Sequence, residues 1–224
     1  NPLFRRKCLL LSYTVKEIYH TLQCEGHHAG RAAVFLRFSG CNLWSGREED
    51  RGQARCQFCD TDFFGTEGPM GGRYRSASEL AEACIACWKE SVRVTSVQPM
   101  IVCTGGEPLL QLDDDLVRHL QQVGFYVAVE TNGTMLPPAQ IDWICVSPKS
   151  GVEFQLKQGD ELKLVYPQHG LSPADLLRLQ FDHFFLQPMD GRNLEANTQS
   201  AIDYCLANPP WRLSIQRHKF VGIR

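Results

Sequence analysis

Three cysteines have the spacing of ligands to an iron–sulfur cluster. Cys56 and Cys59 form a Cys-x2-Cys pair, and Cys41 precedes Cys56 by fourteen intervening residues. A turn between the paired residues would aim both sulfurs at one metal centre. Electron-transfer clusters normally have four cysteine ligands, whereas a cluster that does chemistry gains from one iron left open. The three thiolates therefore predict a 4Fe-4S cluster with an open iron.

Zinc is the alternative for the same pair. The chain has ten cysteines, and Cys56 and Cys59 with Cys84 and Cys87 form two Cys-x2-Cys pairs, as in a zinc ribbon. Such a site would make the chain a zinc-stabilised binding module and leave Cys41 without a role. Cys84 and Cys87 fall in an alanine-rich helical pattern, so we expect them to pack as small apolar residues. We expect the same of Cys103, Cys145 and Cys205, and assign no role to Cys8.

The elements that would position these cysteines alternate between strands and helices. Short apolar, β-branched runs end abruptly in polar or glycine-rich residues and predict buried strands over 33–37, 100–103, 125–129, 143–146, 162–165 and 183–186. Ser76 and Glu79 form a capping box before the helical pattern LAEACIACW. Further helical patterns cover 116–123, which Gly124 ends, 173–180 and 197–207.

This alternation predicts an α/β fold built from parallel βαβ units, with the site at the carboxyl ends of the strands. Eight full units would not fit comfortably in 224 residues, so we expect a partial, abbreviated (β/α) barrel. One domain over 13–224 would follow an N-terminal extension of residues 1–12. We expect the glycine-rich segment 65–72 to be a long flexible loop, and the charged segment 42–55 to be a solvated excursion whose length matters more than its chemistry.

Composition argues against several classes of function. The formal net charge is -2, so no basic field exists to gather nucleic acid. The opening apolar run is too short for a signal peptide core or a membrane span. With no signal, the cysteines are expected to be thiols rather than disulfides, and the protein to be cytoplasmic.

Beside the three cysteines, the segment Thr104-Gly105-Gly106-Glu107-Pro108 follows a predicted strand. Together they resemble the radical S-adenosylmethionine (SAM) superfamily, with an expanded cluster loop. The wide cysteine spacing and further motifs make the chain similar to the 7-carboxy-7-deazaguanine synthase family in particular, from about Tyr13 to the C-terminus. Those motifs are Leu22-Gln23 with Glu25, Asp60-Thr61-Asp62, Glu130-Thr131-Asn132-Gly133, Ser147-Pro148-Lys149 and Gln187-Pro188-Met189-Asp190.

The resemblance implies a function. It implies a carbon–nitrogen lyase that contracts the ring of 6-carboxy-5,6,7,8-tetrahydropterin to 7-carboxy-7-deazaguanine with loss of ammonia, in queuosine and 7-deazapurine biosynthesis. It also implies a 4Fe-4S cluster, SAM and Mg2+ as cofactors, an external one-electron donor of the flavodoxin or ferredoxin type, and a homodimer. The radical chemistry would belong to the cofactor, and the protein would bind, orient and shield the reactants.

The resemblance assigns roles to single residues as well. Cys41, Cys56 and Cys59 would hold the cluster, Thr61 would hold Mg2+, and Glu130 would serve binding or proton transfer. Contacts to SAM would come from Phe58, Asp60, Gly106, Ser147, Pro148, Lys149, Gln187, Pro188, Met189 and Asp190. Contacts to the substrate would come from Leu22, Gln23, Cys24, Glu25, Arg37, Thr104, His218 and, at a native chain end, Arg224.

Residue chemistry supports some of these roles and leaves structural alternatives for each. Gly106 lets the backbone approach a ligand closely, although Gly-Gly-Glu-Pro alone is also a plain strand-to-helix turn. Thr61 offers a hard oxygen to Mg2+, which keeps most of its waters, although Asp60-Thr61-Asp62 is also typical of an Asx turn. Arg37 in an apolar strand must meet an anion, either substrate or a structural ion pair.

Other segments have equally ordinary alternatives. The runs at Ser147 and Gln187 also fit strands that a proline ends. A lone histidine such as His218 is usually structural. Another radical SAM enzyme, for example a peptide-activating one, would share the cluster and Gly-Gly-Glu-Pro but not Arg37 or Thr61.

Cys24 departs from the family pattern. The family's substrate loop reads Leu-Gln-Gly-Glu-Gly, and Cys24 replaces its first glycine. If that position needs a positive φ or a close backbone approach, cysteine costs about 1 kcal/mol. We expect SAM cleavage to be retained and substrate affinity to be weaker, and a fold that binds without catalysing is a third alternative. Arg217 also stands where relatives more usually have a small polar residue.

Overall fold

The computed structural model describes residues 12–94 and 96–224. Cys8 and nearly all of the predicted N-terminal extension therefore lie outside the described residues. The described chain forms one nine-stranded sheet with helices packed on it. The strands are β1 Tyr13–Leu22, β2 Ala32–Phe38, β3 Gly72–Tyr74, β4 Met100–Gly105, β5 Tyr126–Thr131, β6 Trp143–Val146, β7 Gln158–Tyr166, β8 Gln180–Pro188 and β9 Trp211–Leu213.

The sheet has the order β3-β1-β2-β4-β5-β6-β7-β8-β9. Pairing is parallel from β2 through β9, and only β1 pairs antiparallel, with β2 and β3. Successive parallel strands are joined through helical connections in much of the chain, as parallel pairing requires. The helices are α1 Ala77–Ser91, α2 Asp114–Gln122, α3 Pro173–Leu176, α4 Leu194–Ala207 and α5 Arg217–Val221, with 3-10 helices at Glu48–Gln53 and Pro108–Leu110.

The two faces of the sheet differ because successive side chains of a strand point to opposite sides. One face, called outward here, packs against the helices, and its residues Leu36, Cys103 and Val129 are fully buried. The opposite face is called inward. Inward residues near the strand starts form a smaller apolar cluster of Ala33, Phe35, Met100, Val102 and Ala128. Towards the carboxyl ends the inward positions become polar, at Arg37, Thr104, Glu130, Lys163 and Gln187.

Helix α1 shows how the sequence pattern determines packing. Ser76 is its N-cap and accepts a hydrogen bond from the Glu79 amide, as the capping box predicts. The buried face repeats at three- and four-residue spacing and covers the outward side of the sheet, with residues Ala77, Leu80, Ala81, Cys84, Cys87 and Trp88. Burial of one leucine of this kind stabilises the fold by about 1.5–3 kcal/mol.

Several predictions about elements need correction. The helix predicted over 173–180 ends at Leu176, because Gln180 pairs with Gln158 and begins β8. The segment 65–72 is not a free loop: the Ile18 amide donates to Pro69 O at 2.8 Å and the Gly68 amide donates to Lys16 O at 3.1 Å, which tie it to β1. All six predicted strands are present, with small shifts at their ends.

Across the described ranges, none of the helices has the length and apolar character needed to cross a bilayer.

Candidate active site

A cavity of about 380 Å3 lies at the carboxyl ends of the parallel strands. The polar inward residues Arg37, Thr104, Glu130 and Lys163 line it. Arg37 and Thr104 are direct neighbours in the register of β2 and β4. Ligands of α/β sheets bind outside the carboxyl ends of the strands, and the volume lies within the range of about 300–1,000 Å3 of small-molecule sites. This cavity is the candidate active site.

The cavity brings together nearly all the residues to which the resemblance assigns a role. Cys41, Pro148 and Met189 do not line it. Cys41 lies directly behind Gly106, whereas the Pro148 carbonyl accepts from Gln168 and the Met189 amide donates to Tyr166. The lining residues are Leu22, Gln23, Cys24, Glu25, Arg37, Cys56, Phe58, Cys59, Asp60, Thr61, Thr104, Gly106, Glu130, Ser147, Lys149, Gln187, Pro188, Asp190, His218 and Arg224.

Gly106 packs against the loop that carries Cys41. A Cβ at Gly106 would lie 2.2 Å from the carbonyl oxygen of Gly40 and 2.7 Å from the Cβ of Cys41. The Glu107 amide fixes this approach by donating to the Gly40 carbonyl at 3.0 Å. The glycine is therefore needed for contact between two site segments, which a plain strand-to-helix turn would not require.

The three cysteines fit the donor set of a cluster that binds through three irons. Among residues 12–94 and 96–224, no group of three or more His, Cys, Asp or Glu side chains converges closely enough to hold a single metal ion. Each thiolate of a 4Fe-4S cluster binds a different iron, so convergence on one point is not needed. Cys56 and Cys59 meet at the cavity wall, and Cys41 borders it through Gly106.

Of the three cysteines, Cys59 is the one whose surroundings favour the thiolate, whereas burial raises the pKa of the Cys41 thiol. A hydrogen bond from Cys56 lowers the pKa of the Cys59 thiol and raises that of Cys56. The half-buried Lys149 ammonium lies near both sulfurs; desolvation lowers the pKa of Lys149, and the cysteines oppose that effect. Lys149 is held by the Ser147 carbonyl at 2.8 Å and by the Ser147 hydroxyl at 2.6 Å. A thiolate is the form that binds metal.

The zinc alternative fails on geometry. Cys84 and Cys87 lie in the hydrophobic core on α1, whereas Cys56 and Cys59 line the cavity. Complete burial raises the pKa of the Cys84 thiol well above its ordinary value, which disfavours the thiolate that zinc needs. Cys103 is also a core residue, as expected, while Cys145 lines the cavity wall and Cys205 is half-buried.

The segment 42–55 is more than a solvated excursion. Arg51 donates through Nη1 to the carbonyls of Gln57 at 2.9 Å and Cys59 at 3.0 Å. Its guanidinium stacks 4.1 Å from the centre of the buried Trp44 ring, and Glu48 accepts from its Nε at 2.7 Å. The excursion therefore folds back and clamps the Cys-x2-Cys turn.

Removing this clamp should loosen the cluster. In Arg51→Gln we expect iron to be lost to a chelator about 10-fold faster, because supporting contacts of metal sites are worth about 10–100-fold in affinity. Iron release followed by absorbance measures this directly. Arg47→Gln is the matched control, since Arg47 belongs to the same segment but stacks on Phe64. This change should leave the release rate unaltered. Equal rates in all three proteins would contradict the clamp.

Glu107 joins the glycine-rich turn to the Glu130–Gly133 segment. It is fully buried and accepts from the Thr131 hydroxyl at 2.7 Å and from the Asn132 amide at 2.8 Å. Burial raises its pKa, and these hydrogen bonds oppose that rise. Asn132 in turn donates to Asn42 at 2.9 Å, beside Cys41. The two motifs and the cysteine loop form one hydrogen-bonded unit.

A polar wall faces the cysteines across the cavity. Gln23 donates to Glu130 at 2.9 Å and accepts from the Cys24 amide at 2.8 Å. Lys163 donates to Glu25 at 2.5 Å and to Glu130 at 3.3 Å. These side chains present hydrogen-bond acceptors and donors at fixed positions, as recognition of a polar heterocycle requires.

Cys24 fits this loop without strain. Met70 is the only non-glycine residue with a positive φ in the described part of the chain, so Cys24 avoids that conformation. Its thiol is buried and donates to the Leu22 carbonyl at 3.4 Å. The penalty for a positive φ at this position therefore does not arise. Weaker substrate affinity through a close backbone approach stays a prediction.

Arg37 makes a structural ion pair at the cavity wall. Its Nε donates to Glu17 at 2.9 Å and its Nη2 donates to the Tyr19 hydroxyl at 2.9 Å. Arg224 also pairs with Glu17 at 2.8 Å. The structural ion pair considered for Arg37 is therefore present. The guanidinium also lines the cavity and can bind an anion there.

The segment after Cys59 is anchored to the C-terminal part of the chain. Asp60 accepts from Lys219 at 2.6 Å and from Gln216 at 3.0 Å. Burial alone would raise the pKa of Asp60, and these two donors more than offset it. The neighbouring Asp62 accepts from the Phe64 amide at 3.3 Å in a local turn, which is the Asx alternative. Thr61 lies between them and lines the cavity.

The charged or polar residues of the wall that sequence reasoning missed include Lys163, Glu17 and Gln216. Lys163 and Glu17 stand in the strand runs LKLV and TVKEI, and a charge inside such a run was the signal that identified Arg37. Gln216, which contacts both Asp60 and Glu25, carried no signal of that kind.

The chain is similar to several proteins named 7-carboxy-7-deazaguanine synthase. The protein from Bradyrhizobium diazoefficiens is 58% identical over 214 residues, which cover 96% of this chain and all of the relative. The protein from Bordetella pertussis is 55% identical over 95% of this chain and all of the relative, and that from Bacteroides thetaiotaomicron is 40% identical over 94% of this chain and 98% of the relative. No protein-family model matches the sequence.

A solved structure supports the fold. The crystal structure of QueE from Escherichia coli superposes with a TM-score of 0.66 at 24% identity, over 92% of this chain and 95% of that one. This similarity confirms the partial barrel. The sequence identities of 58% and 55%, each over the full length of the relative, confirm the family resemblance that the motifs indicated. The chain belongs to the 7-carboxy-7-deazaguanine synthase family of radical SAM enzymes.

Proposed function

We propose that this chain catalyses the ring contraction of 6-carboxy-5,6,7,8-tetrahydropterin to 7-carboxy-7-deazaguanine with release of ammonia, in queuosine biosynthesis. One observation carries the proposal: the three-cysteine loop, the glycine turn and the polar wall meet at one cavity in a chain that is 58% identical to a 7-carboxy-7-deazaguanine synthase. The alignment with that relative covers its whole length.

The cysteine side of the cavity would hold the cofactors. Cys41, Cys56 and Cys59 would bind a 4Fe-4S cluster, and Gly106, Ser147 and Gln187 lie where SAM would bind beside it. When bound, the cluster with SAM supplies a 5'-deoxyadenosyl radical. The chain's own residues keep these parts in place: Glu107 fixes the glycine turn, and Lys149 sets a positive charge beside the sulfurs.

The polar wall would hold the pterin. Gln23, Glu25 and Glu130 offer acceptors to the ring amino and N–H groups, and Arg37 and Thr104 face the same space. Glu130 accepts from both Gln23 and Lys163, so its carboxylate is held in one orientation for binding or for proton transfer. The remaining partners of the proposal are an external one-electron donor of the flavodoxin or ferredoxin type and a second copy of the chain.

Thr61 is the proposed protein ligand of Mg2+. Mg2+ keeps several waters and needs few protein oxygens, so one threonine suffices if the substrate carboxylate completes the site. In Thr61→Ala we expect half-maximal turnover to need about 10–100-fold more Mg2+, because the change removes the protein ligand. Titration of Mg2+ in the turnover assay measures this shift. Thr66→Ala, a threonine change outside the cavity lining, should not alter it; an unshifted curve for Thr61→Ala would remove the assignment.

The choice of substrate distinguishes the proposed reaction from the reactions of other radical SAM enzymes. Reconstituted protein, dithionite and SAM are incubated without oxygen, either with the carboxytetrahydropterin or with a glycine-containing peptide. We expect the pterin to accelerate 5'-deoxyadenosine formation and to yield the deazaguanine. Acceleration by the peptide alone would favour a peptide-activating enzyme.

A further inference from the structure

Lys163 connects three separate segments at the cavity wall. Its side chain is 4% exposed and its Nζ lies 2.5 Å from Glu25 Oε2 and 3.3 Å from Glu130 Oε1. Lys163 belongs to β7 and Glu130 to β5, whereas Glu25 lies on the loop after β1. One buried ammonium therefore sets the distance between two carboxylates that face the same cavity.

The two carboxylates beside Lys163 explain why a positive charge is needed at this position. A buried ion costs several kcal/mol unless it is paired, and two carboxylates close together repel each other. Burial alone would lower the pKa of Lys163, and the nearby carboxylates more than offset this effect. Burial alone would raise the pKa of Glu25, and Lys163 together with Gln216 more than offsets this effect. The titratable and charged groups facing this pair are Glu130, Glu161, Cys145, Lys149 and Asp60.

Both carboxylates keep room for further donors. Glu25 accepts from Gln216 at 3.1 Å through Oε1, and Glu130 accepts from Gln23 at 2.9 Å through Oε1. An ionised carboxylate has about four lone-pair sites and is an acceptor only. A pair of such acceptors selects a ligand edge that carries N–H donors, which is the edge that a pterin presents with its amino and ring N–H groups.

We propose that Lys163 is a positioning residue that keeps Glu25 ionised and fixes Glu130 beside it as paired acceptors for the N–H groups of the substrate. The identity of the substrate rests on the proposed function. The ionised state of Glu25 is a property of this chain alone and can be tested separately.

Three variants test the proposal. Lys163→Met removes the charge at similar length, Lys163→Arg keeps it, and Lys163→Met combined with Glu25→Gln removes both partners. Lys157→Met is the matched control, since Lys157 is exposed and stacks on Phe154 just before β7. Infrared spectroscopy reports protonated carboxyl groups, and kinetics report kcat and KM for the pterin across pH.

We expect Lys163→Met to show one more protonated carboxyl than the wild type at neutral pH, and the double variant to lose it. In Lys163→Met, kcat/KM for the pterin should fall about 30-fold because KM rises. The acid side of its pH profile should move to higher pH. Cluster content and SAM cleavage should stay unchanged. Lys163→Arg and Lys157→Met should keep the wild-type pH profile.

An infrared spectrum and a pH profile of Lys163→Met that match the wild type would overturn the proposal. If Lys163→Met does not fold, a shifted pH profile in Lys163→Arg would overturn it and an unshifted one would support it. If the wild type forms no deazaguanine, the proposed function fails, and the infrared comparison still decides whether Lys163 keeps Glu25 ionised.

Discussion

Cys41→Ala is expected to abolish cluster assembly and reduce deazaguanine formation by at least about 100-fold, the upper end of what even a supporting contact costs a metal site. Cys41 is the one cysteine of the three that a zinc ribbon would not use. It is also the cysteine against which Gly106 packs, with the Glu107 amide bonded to the neighbouring Gly40 carbonyl. Its loss would remove a proposed ligand from the side where the glycine turn meets the cysteine loop.

Iron and acid-labile sulfide after anaerobic reconstitution measure this effect, together with visible absorbance. Cys205→Ala is the matched control, because Cys205 is a half-buried cysteine on α4 outside the cavity lining. It should reconstitute like the wild type. A Cys41→Ala protein that retains full iron and sulfide would show that Cys41 is not a ligand.

Gly106→Ala is expected to have the second largest effect. The added Cβ would lie 2.2 Å from the Gly40 carbonyl oxygen, and because the obstacle is backbone, no side-chain rotation can relieve it. Overpacking of this kind costs about 1–3 kcal/mol, which corresponds to a fall in Tm of about 2–12 °C for a domain of this size. Pushing the turn away from the Cys41 loop should also reduce cluster content and SAM cleavage.

Thermal unfolding and SAM cleavage together test this variant. Gly52→Ala is the matched control, because a Cβ at Gly52 in the cluster loop meets nothing within 4 Å. It should leave both quantities unchanged. If Gly106→Ala has the Tm and SAM cleavage of the wild type, the close approach seen between the turn and the cysteine loop is not important.

The strands that position the site could be predicted because they are buried on both faces. Parallel strands covered on both sides read as continuous apolar runs, and all six such runs became strands. Strand β1 was missed because Lys16 and Glu17 interrupt its apolar pattern, and both are buried by tertiary contacts. Helix α3 was predicted too long because pairing between Gln158 and Gln180 extends β8 towards it.

The site could be predicted only where a motif or a misplaced charge marked it. The cysteine spacing and the glycine turn located one side of the cavity, and Arg37 identified part of the other. Lys163 carried the same kind of signal as Arg37 and could have been found. Arg51 could not, because its role depends on the loop folding back to place a guanidinium on the carbonyls of the Cys-x2-Cys turn.

The stoichiometry of a single anaerobic turnover tests the central claim most directly. Reconstituted wild-type protein is mixed with SAM, Mg2+, dithionite and a limiting amount of 6-carboxy-5,6,7,8-tetrahydropterin, and ammonia and 7-carboxy-7-deazaguanine are quantified. The proposed function predicts equal amounts of both products, matching the pterin consumed. SAM cleavage to 5'-deoxyadenosine with neither ammonia nor deazaguanine formed would contradict it.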